Sequence, residues 1–366
     1  MSGNLKSDQH TGQLRVASIG LGWVAQNRHI PVMMGLNNIT VVGGIDRRPR
    51  RAEDVARRFK LARHAQAERL SDVRWLDEVD AIAVATAPFS HHALISEALA
   101  LGKHVLTEKP FTMSREESDS LIAMQDAADR VLAVVHNFQF ARSTRRLLAE
   151  IDNGRLGEIR AINAVQFGNP SRRLPDWNDE LPLGLFYDES PHLLYLMRRV
   201  APGPLEFLQA TSQPSTIGLN TPARIDAHYR FRSGGTNCPA TLSCNFESPV
   251  SEWFLMVFGS RRLGIVDVFR DIYVSLPNDG AHTTATVLRT SLTATFQHWA
   301  QHLTSGWGHL RKTLVYGNDE VFRRFAAAAL SRQQPEGISA QDARDVQHMQ
   351  ADIVEHCVDL GGKERR

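Results

Sequence analysis

The stretch "LRVASIGLGWVA", Leu14 to Ala25, constrains the fold more than any other. An apolar, β-prone run ends in Gly20, Gly22 and Ala25 at the spacing G-x-G-x-x-[GA], and a helical pattern containing Pro31 follows. The first glycine permits a tight turn. The second lets the backbone approach a pyrophosphate, and the small third position lets a helix pack closely on the strand. A helix N-terminus at that point offers N–H groups and a positive dipole end to phosphates. Alone the spacing is a weak signal, but it stands after a strand and before a helix, as such a motif requires. Asp46 ends the next apolar run, "ITVVGGID", where an acidic residue bonds a ribose 2′-OH and repels a 2′-phosphate. This favours NAD. Arg47 and Arg48 follow at once and would partly accommodate a 2′-phosphate, so NADP stays open, as does a reading of Asp46 as a plain loop cap.

The first 140 residues repeat the same unit. Apolar runs at "VDAIAVATAP", "KHVLTEKP" and "VLAVVHNFQF" alternate with helical patterns at "RRPRRAEDVARRFK", "HALISEALALG" and "SREESDSLIAMQDAADR". Near-continuous apolar strands separated by helices predict an α/β fold with a doubly wound parallel sheet. After about residue 140 the runs alternate instead, from "EIRAINAVQF" to "LGIVDVF", with few helices between the later ones. That predicts a mostly antiparallel sheet, closed by helices near Thr293–Thr304, Glu320–Leu330 and Ala340–Asp359. The expected division is a flexible tail over 1–13, a Rossmann dinucleotide-binding domain over 14–140, and a substrate-binding and oligomerisation domain over 141–366.

Composition narrows the function classes. Net charge is +2 with no long basic block, so a nucleic-acid partner is not expected. The three cysteines, Cys238, Cys244 and Cys357, form no C-x-x-C pair, and their odd number argues against a disulfide framework. Reduced thiols in a cytoplasmic protein are expected. The polar start lacks the apolar core of a secretory signal. No run reaches the roughly 18–20 apolar residues of a membrane helix, so no membrane partner is expected.

Two segments carry candidate chemistry. In "GKHVLTEKPFT", Glu108 and Lys109 leave a parallel strand at the sheet edge where ligands bind. Proline disfavours helix at the residue before it, so Lys109 is expected to be extended, with its charge available to polarise a substrate oxygen. A surface lysine paired with Glu108 fits the segment equally. In "YDESPHLLYLM", Asp188 and His192 stand four apart with apolar residues behind them. If helical from about Pro191, the pair shares a face at the helix mouth. His192 would take a proton near neutral pH, oriented by Asp188. A capping aspartate and a satisfied histidine fit the spacing too. His91-His92 lacks the ligands of a zinc site, so no metal is expected. Arg172 and Arg173, in "NPSRRLPDW", would suit a phosphate or carboxylate of the substrate, although a solvated loop fits as well.

Together these segments resemble the glucose–fructose oxidoreductase / inositol dehydrogenase / MocA (Gfo/Idh/MocA) family, from about Leu14 to Asp359. The resemblance rests on "GLGWVA", "DAIAVATAPFSHHALISEALALGKHVLTEKP", "GEIRAINAVQF" and "GLFYDESPH". It implies a Rossmann domain followed by an α/β domain with a large, mostly antiparallel sheet, and dimers or tetramers. It implies Lys109, Asp188 and His192 as the catalytic set. On the cofactor side, Thr86, Pro88, His91, Glu108, Lys109 and Asn137 join Gly20, Gly22, Trp23, Val24, Ala25, Asp46 and Arg47. The implied activity is NAD(P)-dependent hydride transfer at a secondary alcohol or ketone of a sugar, nucleotide sugar or cyclitol. A non-catalytic dinucleotide-binding regulator and an enzyme using tightly held NAD on glycosides are the alternatives. Departures fall in the second domain: Ser190 replaces a usual glycine, only Gly184 remains of a glycine run, Tyr195 replaces a frequent aspartate, and Gln139 a common arginine.

Overall fold

The computed structural model describes residues 12–311 and 314–361, so residues 1–11 of the expected tail lie outside the described residues. The chain forms two compact units. One extends to Glu108 and takes in Asp119–Val135 and Asp319–Ala340. The other comprises Lys109–Ser118, His136–Asn318 and the chain from Gln341. A single boundary near residue 140 therefore needs correction. A later helix, Asn318–Ser331, returns to the first unit, where its Phe322 and Phe325 are fully buried.

The first unit runs β1 (Leu14–Ile19), α1 (Ile30–Met34), β2 (Ile39–Asp46), α2 (Arg51–Phe59), β3 (Arg63–Gln66), β4 (Ala81–Val84), α3 (His91–Ala100), β5 (His104–Thr107), α4 (Arg115–Ala128) and β6 (Leu132–Val134). Its six strands are all parallel, in the order β3-β2-β1-β4-β5-β6. The order reverses between β1 and β4, which makes the sheet doubly wound with a switch point at the end of β1. Strands β4, β5 and β6 are buried along their whole length, as a sheet covered on both faces demands.

The second unit continues with α5 (Arg142–Asp152), β7 (Ile159–Phe167), α6 (Leu185–Val200), β8 (Glu206–Gln213), β9 (Arg224–Ser233), β10 (Thr236–Asn245), β11 (Glu252–Gly259), β12 (Arg262–Asp267), β13 (Ile272–Pro277) and α7 (Thr284–Leu310). After the returning helix, α8 (Asn318–Ser331), it closes with α9 (Ala340–His356) and β14 (Cys357–Asp359). The eight-stranded sheet has the order β13-β12-β11-β7-β10-β9-β8-β14. Only the β7–β10 and β8–β14 pairs are parallel. Buried and half-exposed residues alternate along β7, β9 and β11. Ile162, Ala227, Leu242 and Leu255 join Leu193, Met197, Val346 and Ile353 of α6 and α9 in one core. The opposite face carries half-exposed Phe254, Met256 and Ile265 at one side and Asp226, His228 and Ser243 at the other. No described helix is long and apolar enough to cross a membrane.

Candidate active site

At the carboxyl edge of the parallel sheet the ladder extends just past the strands. Gly20 N–H donates to the Ile45 carbonyl (3.0 Å), Ala85 N–H to Ile19 (2.8 Å) and Glu108 N–H to Val84 (2.9 Å). Gly20 has φ +83°, and a Cβ there would lie 2.6 Å from Thr86 Cγ2 and 2.7 Å from the Ala85 carbonyl oxygen. Only glycine meets both demands. A Cβ on Gly22 would meet nothing within 4 Å, so its backbone lines open space, as pyrophosphate binding requires. Ala25 is fully buried, while Trp23 is exposed and Val24 half-exposed. The loop after β4 braces this turn: Thr86 Oγ1 accepts from Ser90 Oγ (2.8 Å), and His91 Nε2 lies 3.2 Å from the Thr86 carbonyl. Pro88 and His91 are buried. These residues fit a dinucleotide.

Asp46 does cap a loop, and the loop is the glycine turn. Its Oδ2 accepts from Leu21 N–H (2.8 Å) and its Oδ1 from Arg48 N–H (2.9 Å). A carboxylate has about four acceptor positions, so two such bonds leave capacity for a ribose hydroxyl. Arg47 and Arg48 are exposed beside it.

Glu108 has a partner that sequence reasoning missed. His29 is buried, and its Nε2 lies 2.7 Å from Glu108 Oε1. His29 also packs edge-on against Phe322, with ring centroids 5.1 Å apart. It ends a π-helical turn, Ala25–His29, just before Pro31. Proline has no N–H for an α-helical bond and its ring crowds the carbonyl four residues back, which a wider turn relieves. The only sequence signal was a histidine in the helix after the glycine motif.

The chain passes into the second unit between Glu108 and Lys109, across a segment whose Lys109–Pro110 peptide is cis. Lys109 Nζ donates to Asp188 Oδ1 (2.6 Å) and to the Asp188 carbonyl (2.9 Å), with both side chains largely buried. Asp188 lies in the first turn of α6, which starts at Leu185 rather than near Pro191. The reason is Gly184, at φ +56°, where a Cβ would lie 2.2 Å from Thr221 Oγ1. That hydroxyl accepts from Leu185 N–H (2.9 Å) and caps the helix from another loop. Asp188 and His192 are thus an i, i+4 pair, Asp188 in the first turn of the helix and His192 in the next. Pro191 sits inside α6 and cannot donate to the Tyr187 carbonyl; Gln350 Nε2 does so instead (2.6 Å). The same nitrogen donates to Ser190 Oγ (2.9 Å), which gives the departure at Ser190 a partner.

His192 Nδ1 lies 2.9 Å from Tyr195 Oη, which also accepts from Phe138 N–H (3.0 Å). Phe138 and Trp253 flank the imidazole at 4.9 and 5.4 Å, and Tyr195 stacks on His136 at 4.5 Å. Burial, then the charges of Lys109 and His136, hold the His192 pKa well below its ordinary value. The imidazole is therefore neutral at pH 7, with a lone pair to offer. Arg172 is committed within the unit: its Nη2 donates to Glu189 Oε1 (2.8 Å), and Gln166 bonds the other oxygen. Burial pushes the Glu189 carboxyl up, against the pull of Arg172. Arg173 is exposed. Asn137 Nδ2 donates to the Tyr316 carbonyl (3.1 Å), and Gln139 Nε2 to the His136 carbonyl (3.0 Å). Lys109, Asp188 and His192 thus come together in one unit. The glycine loop, Asp46, Thr86, Pro88, His91 and Glu108 belong to the other.

A family model described as "Oxidoreductase family, NAD-binding Rossmann fold" matches residues 14–136. A dTDP-3,4-didehydro-2,6-dideoxy-alpha-D-glucose 3-reductase from Saccharopolyspora spinosa is 30% identical over 279 residues, covering 69% of this chain and 81% of that protein. The chain belongs to the Gfo/Idh/MocA family of oxidoreductases. Its first unit is the NAD-binding Rossmann fold of that family. D-glucoside 3-dehydrogenase of Escherichia coli (strain K12) is 30% identical over 163 residues, so the match spans 44% of this chain and less than half, 45%, of that relative. A 3-ketoreductase from Actinomadura kijaniata, solved with NADP and TDP-benzene, shares the fold with a TM-score of 0.70 at 20% identity, covering 95% of this chain and 99% of that one. This Gfo/Idh/MocA chain is an NAD(P)-dependent oxidoreductase.

Proposed function

We propose that the protein interconverts a secondary alcohol and a ketone at position 3 of a hexose-type ring, free or nucleotide-linked. The observation that carries this reading is the grouping of an ammonium, a carboxylate and a neutral imidazole in Lys109, Asp188 and His192. Position 3 is supported by the names of the relatives above, each a 3-reductase, 3-dehydrogenase or 3-ketoreductase. Gly20, Gly22, Trp23, Val24, Ala25, Asp46 and the Thr86–His91 loop would hold the dinucleotide, with Glu108 contributing. Bound there, the nicotinamide supplies the hydride acceptor or donor.

The chain's own residues move the proton and stabilise charge. In oxidation, the His192 lone pair takes the hydroxyl proton while the Lys109 ammonium, steadied by Asp188, stabilises the developing alkoxide. In reduction the proton returns to the carbonyl oxygen from an imidazolium made more acidic by its burial. Covalent continuity joins the two sets of residues, because Glu108 ends the cofactor-binding set and Lys109 begins the catalytic one. Arg173 is the candidate for the phosphate of a nucleotide-linked sugar, since Arg172 is held by Glu189. Cys238 and Cys244 are buried free thiols, which supports a cytoplasmic, reducing setting. The half-exposed apolar strip on β11 and β12 supports homo-oligomer formation through the open face of the large sheet.

The test is isotopic. Incubated with reduced cofactor deuterated at nicotinamide C4 and a panel of 3-keto sugars, the enzyme should deliver deuterium to C3, read by NMR of the product. Deuterium at another ring carbon would overturn the regiochemistry. No transfer to any keto sugar would overturn the substrate class.

A further inference from the structure

Helix α7 is far longer than the sequence pattern predicts, 27 residues from Thr284 to Leu310, about 40 Å at 1.5 Å per residue. One side of it closes the edge of the large sheet. Gln297 accepts from Ser275 N–H (2.8 Å) and donates to the Ser275 carbonyl (3.0 Å), and Gln301 makes the same pair of bonds with Tyr273 (2.9 and 2.5 Å). Two glutamines one turn apart thus stand in for a neighbouring strand and fix which way the helix faces. The side turned outward carries Leu288, Leu292, Phe296, Trp299, Leu303, Trp307 and Leu310, each between 57% and 79% exposed.

The steps between these seven residues are four, four, three, then four, four, three. That repeat of eleven, close to 3.67 residues per turn, keeps a stripe almost parallel to the helix axis. The three aromatics each present over half of the roughly 150–250 Å² that an aromatic side chain can bury. With four leucines added, the stripe exceeds the few hundred Å² of apolar patch that a monomer ordinarily shows. Two such stripes approach the roughly 1,200 Å² at which stable interfaces begin.

We infer that the outward face of α7 is an interface between two copies of this chain, paired antiparallel about Trp299. The stripe complements itself in that direction: Leu288 meets Leu310 of the partner subunit, Leu292 meets the partner's Trp307, Phe296 meets the partner's Leu303, and Trp299 meets its own counterpart. Every large residue finds a large residue, as an isologous two-fold contact requires. Charge is sparse along the stripe. Arg289 is the only Asp, Glu, Lys or Arg between Thr284 and Leu310, and Arg311 just beyond stacks on the Trp307 ring at 4.4 Å, so charge is confined to the two ends of the pair, where solvent screens it. A helix that docks on anionic lipid flanks its apolar face with Lys and Arg, and an acidic or basic partner protein would need charge to meet.

The full-length protein decides it. Light scattering across the micromolar range should show self-association, and Phe296→Glu/Trp299→Glu should halve the mass while leaving the far-UV circular dichroism native, because both side chains are exposed on the single chain. In a Cys357→Ser background, Trp299→Cys should form an intermolecular disulfide under mild oxidation. Leu292→Cys should form one only when paired with Trp307→Cys. Met256→Glu, on the open sheet face, should leave the Trp299→Cys cross-link intact, which separates this interface from one through the sheet. A monomeric wild type, a mass unmoved by the double glutamate variant, or self-cross-linking of Leu292→Cys would each overturn the inference. So would a monomer whose binding to phosphatidylglycerol vesicles the double variant abolishes.

Discussion

Asp46 performs two tasks with one carboxylate, which sharpens what its replacement should do. Its bonds to Leu21 and Arg48 fix the glycine turn, and on the proposed reading its remaining acceptor capacity would meet the ribose. Asp46→Ser should therefore raise the NAD dissociation constant at least ten-fold, because leaving the buried Leu21 N–H poorly paired costs about 1–3 kcal/mol. It should also move preference toward NADP, helped by Arg47 and Arg48. Calorimetry with both cofactors checks this; unchanged NAD affinity would mean that the turn does not depend on Asp46. Tyr195 is a positioning residue for His192. Tyr195→Phe should lower kcat five- to ten-fold, the value of about one hydrogen bond, and change the pH profile, while KM stays nearly constant. The wild-type profile has a definite sign. With its pKa held well below 6.5, His192 stays deprotonated from pH 8 through 6.5. The oxidative kcat/KM should show no His192 limb until well below pH 6.5. An inflection near pH 6.5 that disappears in His192→Asn would contradict the burial argument.

Among the elements, β5 and β6 offer a direct test of stability against pH. His104 Nδ1 accepts from Val131 N–H (3.0 Å). Burial first, then Arg130 and Arg332, pushes its pKa down to about 4. An unfolded histidine titrates near 6.5, so the unfolded chain binds the extra proton first. Stability from this group is complete above pH 6.5 and is lost as pH falls toward 4. The melting temperature should decline across that window, and His104→Asn, which keeps an acceptor but cannot titrate, should flatten the decline. The elements also show what sequence can and cannot reveal. The glycine turn, the buried parallel strands and the alternating strands were legible because each follows a local period. Strand β3, "RHAQ", was not, since an edge strand with exposed polar residues has no apolar signature. The start of α6 was misread because its cap is Thr221, distant in sequence, and because Gln350 satisfies the carbonyl that Pro191 leaves open. The length of α7 was missed because its flanking turns bury little and its apolar stripe faces outward.

At the scale of the whole molecule, the division falls between Glu108 and Lys109, so this dipeptide ends the proposed cofactor-binding residues and begins the proposed catalytic ones. Both reading frames for "EKP" were open in the sequence. In the structure Glu108 bonds His29 and Lys109 bonds Asp188, partners 79 residues away in each direction. Lys109 therefore has a structural share beside the catalytic one proposed for it. Removing it alone leaves a largely buried Asp188 carboxylate unpaired, which is costly, so Lys109→Ala should lower the melting temperature. Lys109→Ala/Asp188→Asn should recover most of that loss, because the amide carries no charge. The decisive measurement is kcat for this double variant, on the sugar that the deuterium assay identifies, beside melting temperature and NAD affinity. Stability and cofactor binding should stay near native while turnover falls by about 10²–10³, the usual cost of losing a preorganised charge at the reacting oxygen. A double variant that turns over at close to the wild-type rate would contradict this and reduce Lys109 to a structural ion pair.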